Sequence, residues 1–206
     1  MPFALLLALA AIAGATVLTY LYDHAAPLWP RLCAGVCLGL ALLGLVGFVL
    51  VSLLGMTPAA LALAGTVCAS PLLLLLRAGR RGRLAGDISG AGRFVRRASS
   101  LGGKGEAGAL AFYLVAALVF WLVFANAMYQ TPEGIFTGVD TNIGDLPFHL
   151  AVITGFAYGE NFPPQHPEFA GVRLTYPFVA DFVTAMFVRA GAGVEQLAIF
   201  GARALR

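Results

Sequence analysis

The sequence predicts an all-α protein: a polytopic transmembrane helical bundle with an extracytoplasmic loop that carries short interfacial helices. Three observations lead there. Of the 206 residues 60% are hydrophobic and only 11% charged, against about a quarter charged in an ordinary soluble domain. Four apolar runs of about 20 residues, the length that matches a hydrocarbon core of roughly 30 Å, precede residue 130. Of the 13 Lys and Arg residues, 8 fall between Arg77 and Lys104, so the net charge of +3 reads as a topology signal rather than a nucleic-acid footprint.

Residues 1–76 are expected to form a three-helix transmembrane region. The first span, MPFALLLALAAIAGATVLTYLY, has no cationic leader and reads as a retained helix rather than a secretory signal. It ends at the Asp23, His24, Pro27, Pro30 cluster. The second runs from about Leu32 to Leu54 and carries a Gly-x-x-x-Gly face at Gly35 and Gly39 for close packing. Thr57 then Pro58 suit the N-cap and first position of a third span that ends near Leu76. Cys33, Cys37 and Cys68 all lie in apolar runs and make no disulfide or zinc pattern, so they read as small hydrophobes.

Residues 77–108 change abruptly to Arg, Gly and Ser. The positive-inside rule puts this basic segment in the cytoplasm, as a solvated loop in preference to a surface helix around Arg93, Arg96 and Arg97 that meets lipid headgroups. Its glycines lack the Gly-x-x-x-x-Gly-Lys-Ser/Thr spacing of a phosphate loop. Residues 109–128 make a fourth span, and crossing once places residues 129–175 outside, in a polar loop with an interfacial helix from Asp145 to Tyr158. Asp145 is the expected N-cap, and Leu146, Leu150, Ile153 and Phe156 the apolar stripe. Residues 176–206 read as further membrane helices: an apolar one from Tyr176 to Ala190 and another from Val194 that breaks off, as in an incomplete polytopic protein.

Ionisable groups near a bilayer are costly and mark sites or pathways. Between Glu133 and Asp181 the chain holds six carboxylates, two histidines and one arginine. Asp140 and Asp145 bracket the sequence TNIG, and His149 follows Asp145 by four residues, on the same helical face. Each has a structural duty that competes: an N-cap for Asp145, an Asx-turn for Asp140, an interface hydrogen bond for His149. Asp181 sits inside an apolar helix and is expected to pair with Arg173. A divalent metal on Asp140, Asp145, His149 and His166 is chemically admissible but follows no ligand signature, so no cofactor is assigned.

The segment GDLPFHLAVITGFAYGENFPPQHPEFAGVRLTYPF, Gly144 to Phe178, resembles the first large extracytoplasmic region of polytopic GT-C-type membrane glycosyltransferases and their bacterial relatives. The resemblance implies a transferase at the plasma (inner) membrane, multi-pass, in which an acidic residue just after a transmembrane helix activates an acceptor. The acceptor attacks a sugar carried on a polyprenyl phosphate. By position Asp140 or Asp145 matches that base, with Arg173 or His149 meeting the phosphate and His166 and Asp181 near the substrate. The implied partners are the polyprenyl-phosphate-linked sugar donor and membrane lipid, with no nucleic acid. The family's acidic loop usually follows its first transmembrane helix, whereas here three helices stand before the loop's own span. Two rival readings remain: a transporter or flippase component that relays protons through Asp145, His149 and Asp181, and a noncatalytic membrane scaffold.

Overall fold

A computed structural model describes residues 1–99, 104–131, 134–138 and 143–193. Among these the regular elements are helices apart from one small hairpin. The helices are α1 (Pro2–Leu18), α2 (Leu28–Leu54), α3 (Pro58–Ala69), α4 (Ala78–Ser99), α5 (Lys104–Ala127), α6 (Asp145–Tyr158) and α7 (Val179–Arg189). Short 3-10 turns, Thr19–Leu21 and Ser70–Leu76, extend α1 and α3. The predicted helical bundle is therefore present, and three segments, Pro2–Leu21, Leu28–Leu54 and Pro58–Leu76, are long and apolar enough to cross a membrane.

Each terminus of these spans has a local cause. Pro2 opens α1 at a position whose N–H has no helical partner in any case. Thr57 caps α3 by accepting a hydrogen bond from the Ala60 amide at 3.2 Å, and Pro58 follows at the first helical position. Gly55 ends α2 at φ +73°, a left-handed backbone that favours glycine. Between α1 and α2 the Asp23 carboxylate accepts from the Ala25 and Ala26 amides at 3.0 and 2.9 Å, and the Ala26 and Ala25 bonds hold its carboxyl below the ordinary range.

The bundle closes on glycine. Helix α2 runs antiparallel to α1, with Gly35 against Thr16 and Gly39 against Ala11. A Cβ added at Gly39 would stand 2.7 Å from the Ala11 carbonyl oxygen, inside contact distance, so only glycine lets these backbones approach. The Gly-x-x-x-Gly face read from the sequence is the α1–α2 interface. It continues further than predicted, because Gly44 and Gly47 receive Val179, Val183 and Met186 of α7.

Two features depart from the sequence reading. The basic segment is a 22-residue helix, α4, where the composition predicts a plain loop. Arginine is a good helix former, and the helix needs no apolar face when solvent or headgroups solvate its side chains. The predicted fourth span is present as the continuous helix α5, 24 residues long, apolar through Ala107–Val123. It touches α4 and the hairpin and leaves Phe112, Leu114, Val119 and Phe120 exposed. The polar loop carries an antiparallel hairpin, β1 (Met128–Thr131) with β2 (Gly134–Thr137), that no alternation in the sequence announced. The helix expected from Val194 lies outside the described residues.

Near the start of α2 a buried cation is fully provided for. Arg31 is 2% exposed, yet its Nε donates to the Ala26 carbonyl at 2.9 Å and its Nη1 to the Thr19 hydroxyl at 3.1 Å. Its guanidinium lies 3.9 Å from the Tyr20 ring centroid, and Asp87 of α4 is 3.6 Å from Nε. Tyr20 donates its hydroxyl hydrogen to the same Asp87 at 2.6 Å. One carboxylate thus ties α4 to both α1 and α2.

The glycine contacts predict opposite responses to one substitution. Gly39→Ala is expected to destabilise by about 1–3 kcal/mol through overpacking. Gly86→Ala, with nothing within 4 Å of the added Cβ, is expected to be neutral or to stabilise by about 0.5–1 kcal/mol. Thermal unfolding in a fixed detergent measures both; equal responses would mean that the α1–α2 contact is not close.

Candidate functional site

Helices α6 and α7 meet α2 through aromatic rings. Phe48 of α2 packs on Phe162, Phe178 and Phe182 with centroids 6.0, 5.3 and 5.4 Å away, and Phe156 of α6 reaches the same three at 5.4, 5.5 and 5.3 Å. Phe156 and Phe182 are completely buried. Offset and edge-on ring pairs at this separation add to ordinary burial, so the cluster sets the angle between α6 and α7. The apolar face of α6 is Val152, Ile153, Phe156 and Ala157, so the predicted stripe holds at Ile153 and Phe156, while Leu146 and Leu150 are only half-buried.

Above this cluster His149 and Asp181 come together. The His149 Nδ1 lies 2.8 Å from one Asp181 carboxylate oxygen and 3.0 Å from the other, which assigns the Nδ1 hydrogen as a donor to Asp181. Nε2 is then the nitrogen left for a ligand. The Asp181 side chain is 11% exposed and His149 34%, so the acid is enclosed and the imidazole opens to the outside. Asp181 stands in the first turn of α7, where the helix dipole favours a negative charge. An acid buried behind an accessible imidazole holds its tautomer and orientation, the arrangement found in hydrolase triads.

Aromatic rings border the imidazole. Tyr176 is 5.6 Å from His149 and 5.2 Å from Phe148, and Phe148 is 5.5 Å from His166. His166 belongs to a loop that folds on itself: its amide donates to the Val172 carbonyl at 2.8 Å, and its Nδ1 accepts from the Glu168 amide at 3.2 Å. Asn161 closes the start of this loop, donating to the Gln165 carbonyl and accepting from the Gln165 amide at 3.0 and 2.9 Å.

The expected partner of Asp181 is corrected by this geometry. Arg173 is exposed and sits opposite Gln165 in a backbone bridge on the far strand of that loop, while His149 takes its place at the carboxylate. Asp145 is corrected too. It occupies the first turn of α6 behind an N-cap at Gly144, and its exposed side chain caps nothing among the described residues. Although it shares a helix face with His149, the imidazole turns to Asp181 instead. Asp140 lies outside the described residues. Among the described residues no three His, Cys, Asp or Glu side chains gather as a metal site, and the expected quartet is spread: His149 faces Asp181, and His166 faces its own loop.

Tyr176 and Phe148 escaped the sequence reading because an aromatic residue in an apolar chain carries no signal of its own. The Arg31–Asp87 link was legible only as one cation inside an apolar span and one acid inside a basic stretch. No protein-family model, curated protein or solved structure matches this chain.

The ring cluster is expected to hold the pair. Phe156→Ala should destabilise by about 3–5 kcal/mol, the usual range for a buried phenylalanine. It should also raise the reactivity of His149 toward diethyl pyrocarbonate. Unfolding in detergent and mass-spectrometric mapping of the modified histidine check this, and an unchanged midpoint would remove the cluster as the cause.

Proposed function

We propose that this chain is, or belongs to, a multi-pass transferase of the plasma membrane that moves a sugar from a polyprenyl-phosphate carrier to an acceptor. The observation that carries the reading is the His149–Asp181 pair, an enclosed carboxylate behind an accessible imidazole. The resemblance of Gly144–Phe178 to GT-C-type glycosyltransferases supports the substrate class. So does the exposed rim of Tyr176 and Phe169, 47% and 58% exposed, since aromatic faces suit the C–H face of a sugar ring.

In this reaction the acceptor hydroxyl gives its proton to His149 Nε2 as its oxygen attacks the anomeric carbon. The bond from that carbon to the phosphate oxygen breaks, and its electron pair leaves on the phosphate. Asp181 stabilises the imidazolium that forms. Arg173, free of any carboxylate among the described residues, is the cation for the departing phosphate. Asp145, one turn before His149, borders the acceptor side, and Asp140 keeps its role as a second candidate base.

The register along α2 supports an orientation for this reading. Arg31 and the basic helix α4 sit at its first end, whereas Gly44 and Gly47, against α7, lie about 20 Å further along. A cytoplasmic α4 then leaves the His149–Asp181 pair toward the outer half of the membrane. A second reading rests on the enclosure of Asp181: an ionisable pair at membrane depth also suits proton carriage through a transporter.

The test uses the full gene product in membrane vesicles with a radiolabelled short-chain polyprenyl-phosphate sugar. His149→Ala is expected to lower label transfer by about 10²–10⁴-fold, and Asp181→Asn to lower it with the protein level unchanged. Full transfer by His149→Ala would overturn the assignment; full transfer there together with loss in Asp145→Asn or Asp140→Asn would return the base to a carboxylate. Proton-coupled uptake lost in His149→Ala, without any transfer by the wild type, would favour the transporter.

A further inference from the structure

At the Leu28 end of α2, about 20 Å along the helix from where α7 meets it, a cleft of about 460 Å³ opens between the end of α1 and the start of α4. Tyr20, His24, Arg77, Gly79, Arg80 and Arg83 line it. We propose that this cleft binds a phosphate group, supplied by the headgroup of a membrane lipid.

The charge in the cleft is unbalanced. Asp87 is already engaged by Tyr20 and by Arg31. Asp23 turns to its own backbone, the Ala25 and Ala26 amides. Among the described residues no carboxylate comes within ion-pair distance of Arg77, Arg80 or Arg83. Arg83 Nη1 donates instead to His24 Nδ1 at 3.4 Å, a contact that a neutral imidazole accepts.

One atom points to a ligand more directly. Arg80 Nη1 is buried and has no hydrogen-bond partner among the described residues. A buried guanidinium nitrogen left unmatched is costly, and such groups are normally paired. An oxyanion in the cleft would satisfy it, and guanidinium groups recognise phosphate through paired N–H donors. The first turn of α4 adds the positive end of a helix dipole beside Gly79.

The position selects the source. The apolar segments Pro2–Leu21 and Pro58–Leu76 both end at this cleft, so it lies where hydrocarbon gives way to headgroups. Anionic headgroups concentrate basic side chains there. A soluble phosphate or pyrophosphate offers the same chemistry without the acyl chains.

The experiment measures thermal unfolding of the purified full chain in uncharged detergent against three probes: dioctanoyl phosphatidic acid, dioctanoylglycerol and inorganic pyrophosphate. Phosphatidic acid is expected to raise the midpoint while dioctanoylglycerol, which lacks the phosphate, does not. Arg80→Gln and the exposed Arg77→Gln should each weaken that protection by about tenfold, the loss of one charge-assisted bond. Arg93→Gln, further along the same helix, should leave it intact. Arg77→Gln keeps the test valid if Arg80→Gln fails to fold. Protection by pyrophosphate alone, with the same losses, upholds the phosphate site and overturns its lipid source. No protection by either phosphate, or an equal loss in Arg93→Gln, overturns the site itself.

Discussion

Close approach at the glycines of α2 is the constraint on which the rest of the structure depends. Gly35 and Gly39 admit α1 on one part of the helix, and Gly44 and Gly47 admit α7 on the next. Within lipid, helices gain little from hydrophobic exclusion against one another, so close packing and interhelical contacts must hold them. The position of α7 follows. Val179 and Val183 both meet Gly44, so Asp181, between them, stands beside the middle of a span, about 15 Å along α2 from its Leu54 end. The Arg189 Nε bond to the Met56 carbonyl at 3.0 Å and the N-terminal amine bond to the Gly191 carbonyl at 2.6 Å fix the far end of α7.

A carboxylate at that depth is costly unless paired. His149 meets the need, and it is available because Phe156, Phe162, Phe178 and Phe182 fix α6 against α7. The two contributions are of different kinds. The rings supply position, while the hydrogen bond selects a tautomer and an orientation. Removing His149 leaves Asp181 enclosed and unmatched, a larger loss than the net strength of the bond itself.

Much of the frame was legible because membrane spans are written in one-dimensional terms: apolar length, a threonine before a proline, glycine at intervals of four. Thr57, Pro58, Gly35 and Gly39 each do what their spacing implied. Helix α4 was not legible, since its arginines and glycines give no apolar stripe, and helical backbone there needs only solvated side chains. The site was half legible. His149 and Asp181 stand out as ionisable groups in apolar surroundings, but their union is 32 residues apart in sequence. Arg173 is nearer to Asp181 along the chain, yet the bridge to Gln165 carries it away, a consequence of a loop whose closure depends on the Asn161 side chain.

The central claim is that His149 and Asp181 act as one unit, and a double-mutant cycle on sugar transfer tests it most directly, with His149→Gln, Asp181→Asn and the double variant compared at equal protein level. If the pair is a unit, the double variant loses no more activity than the worse single variant, as residues that act together are strongly non-additive. Losses that multiply would show two independent groups and contradict the account.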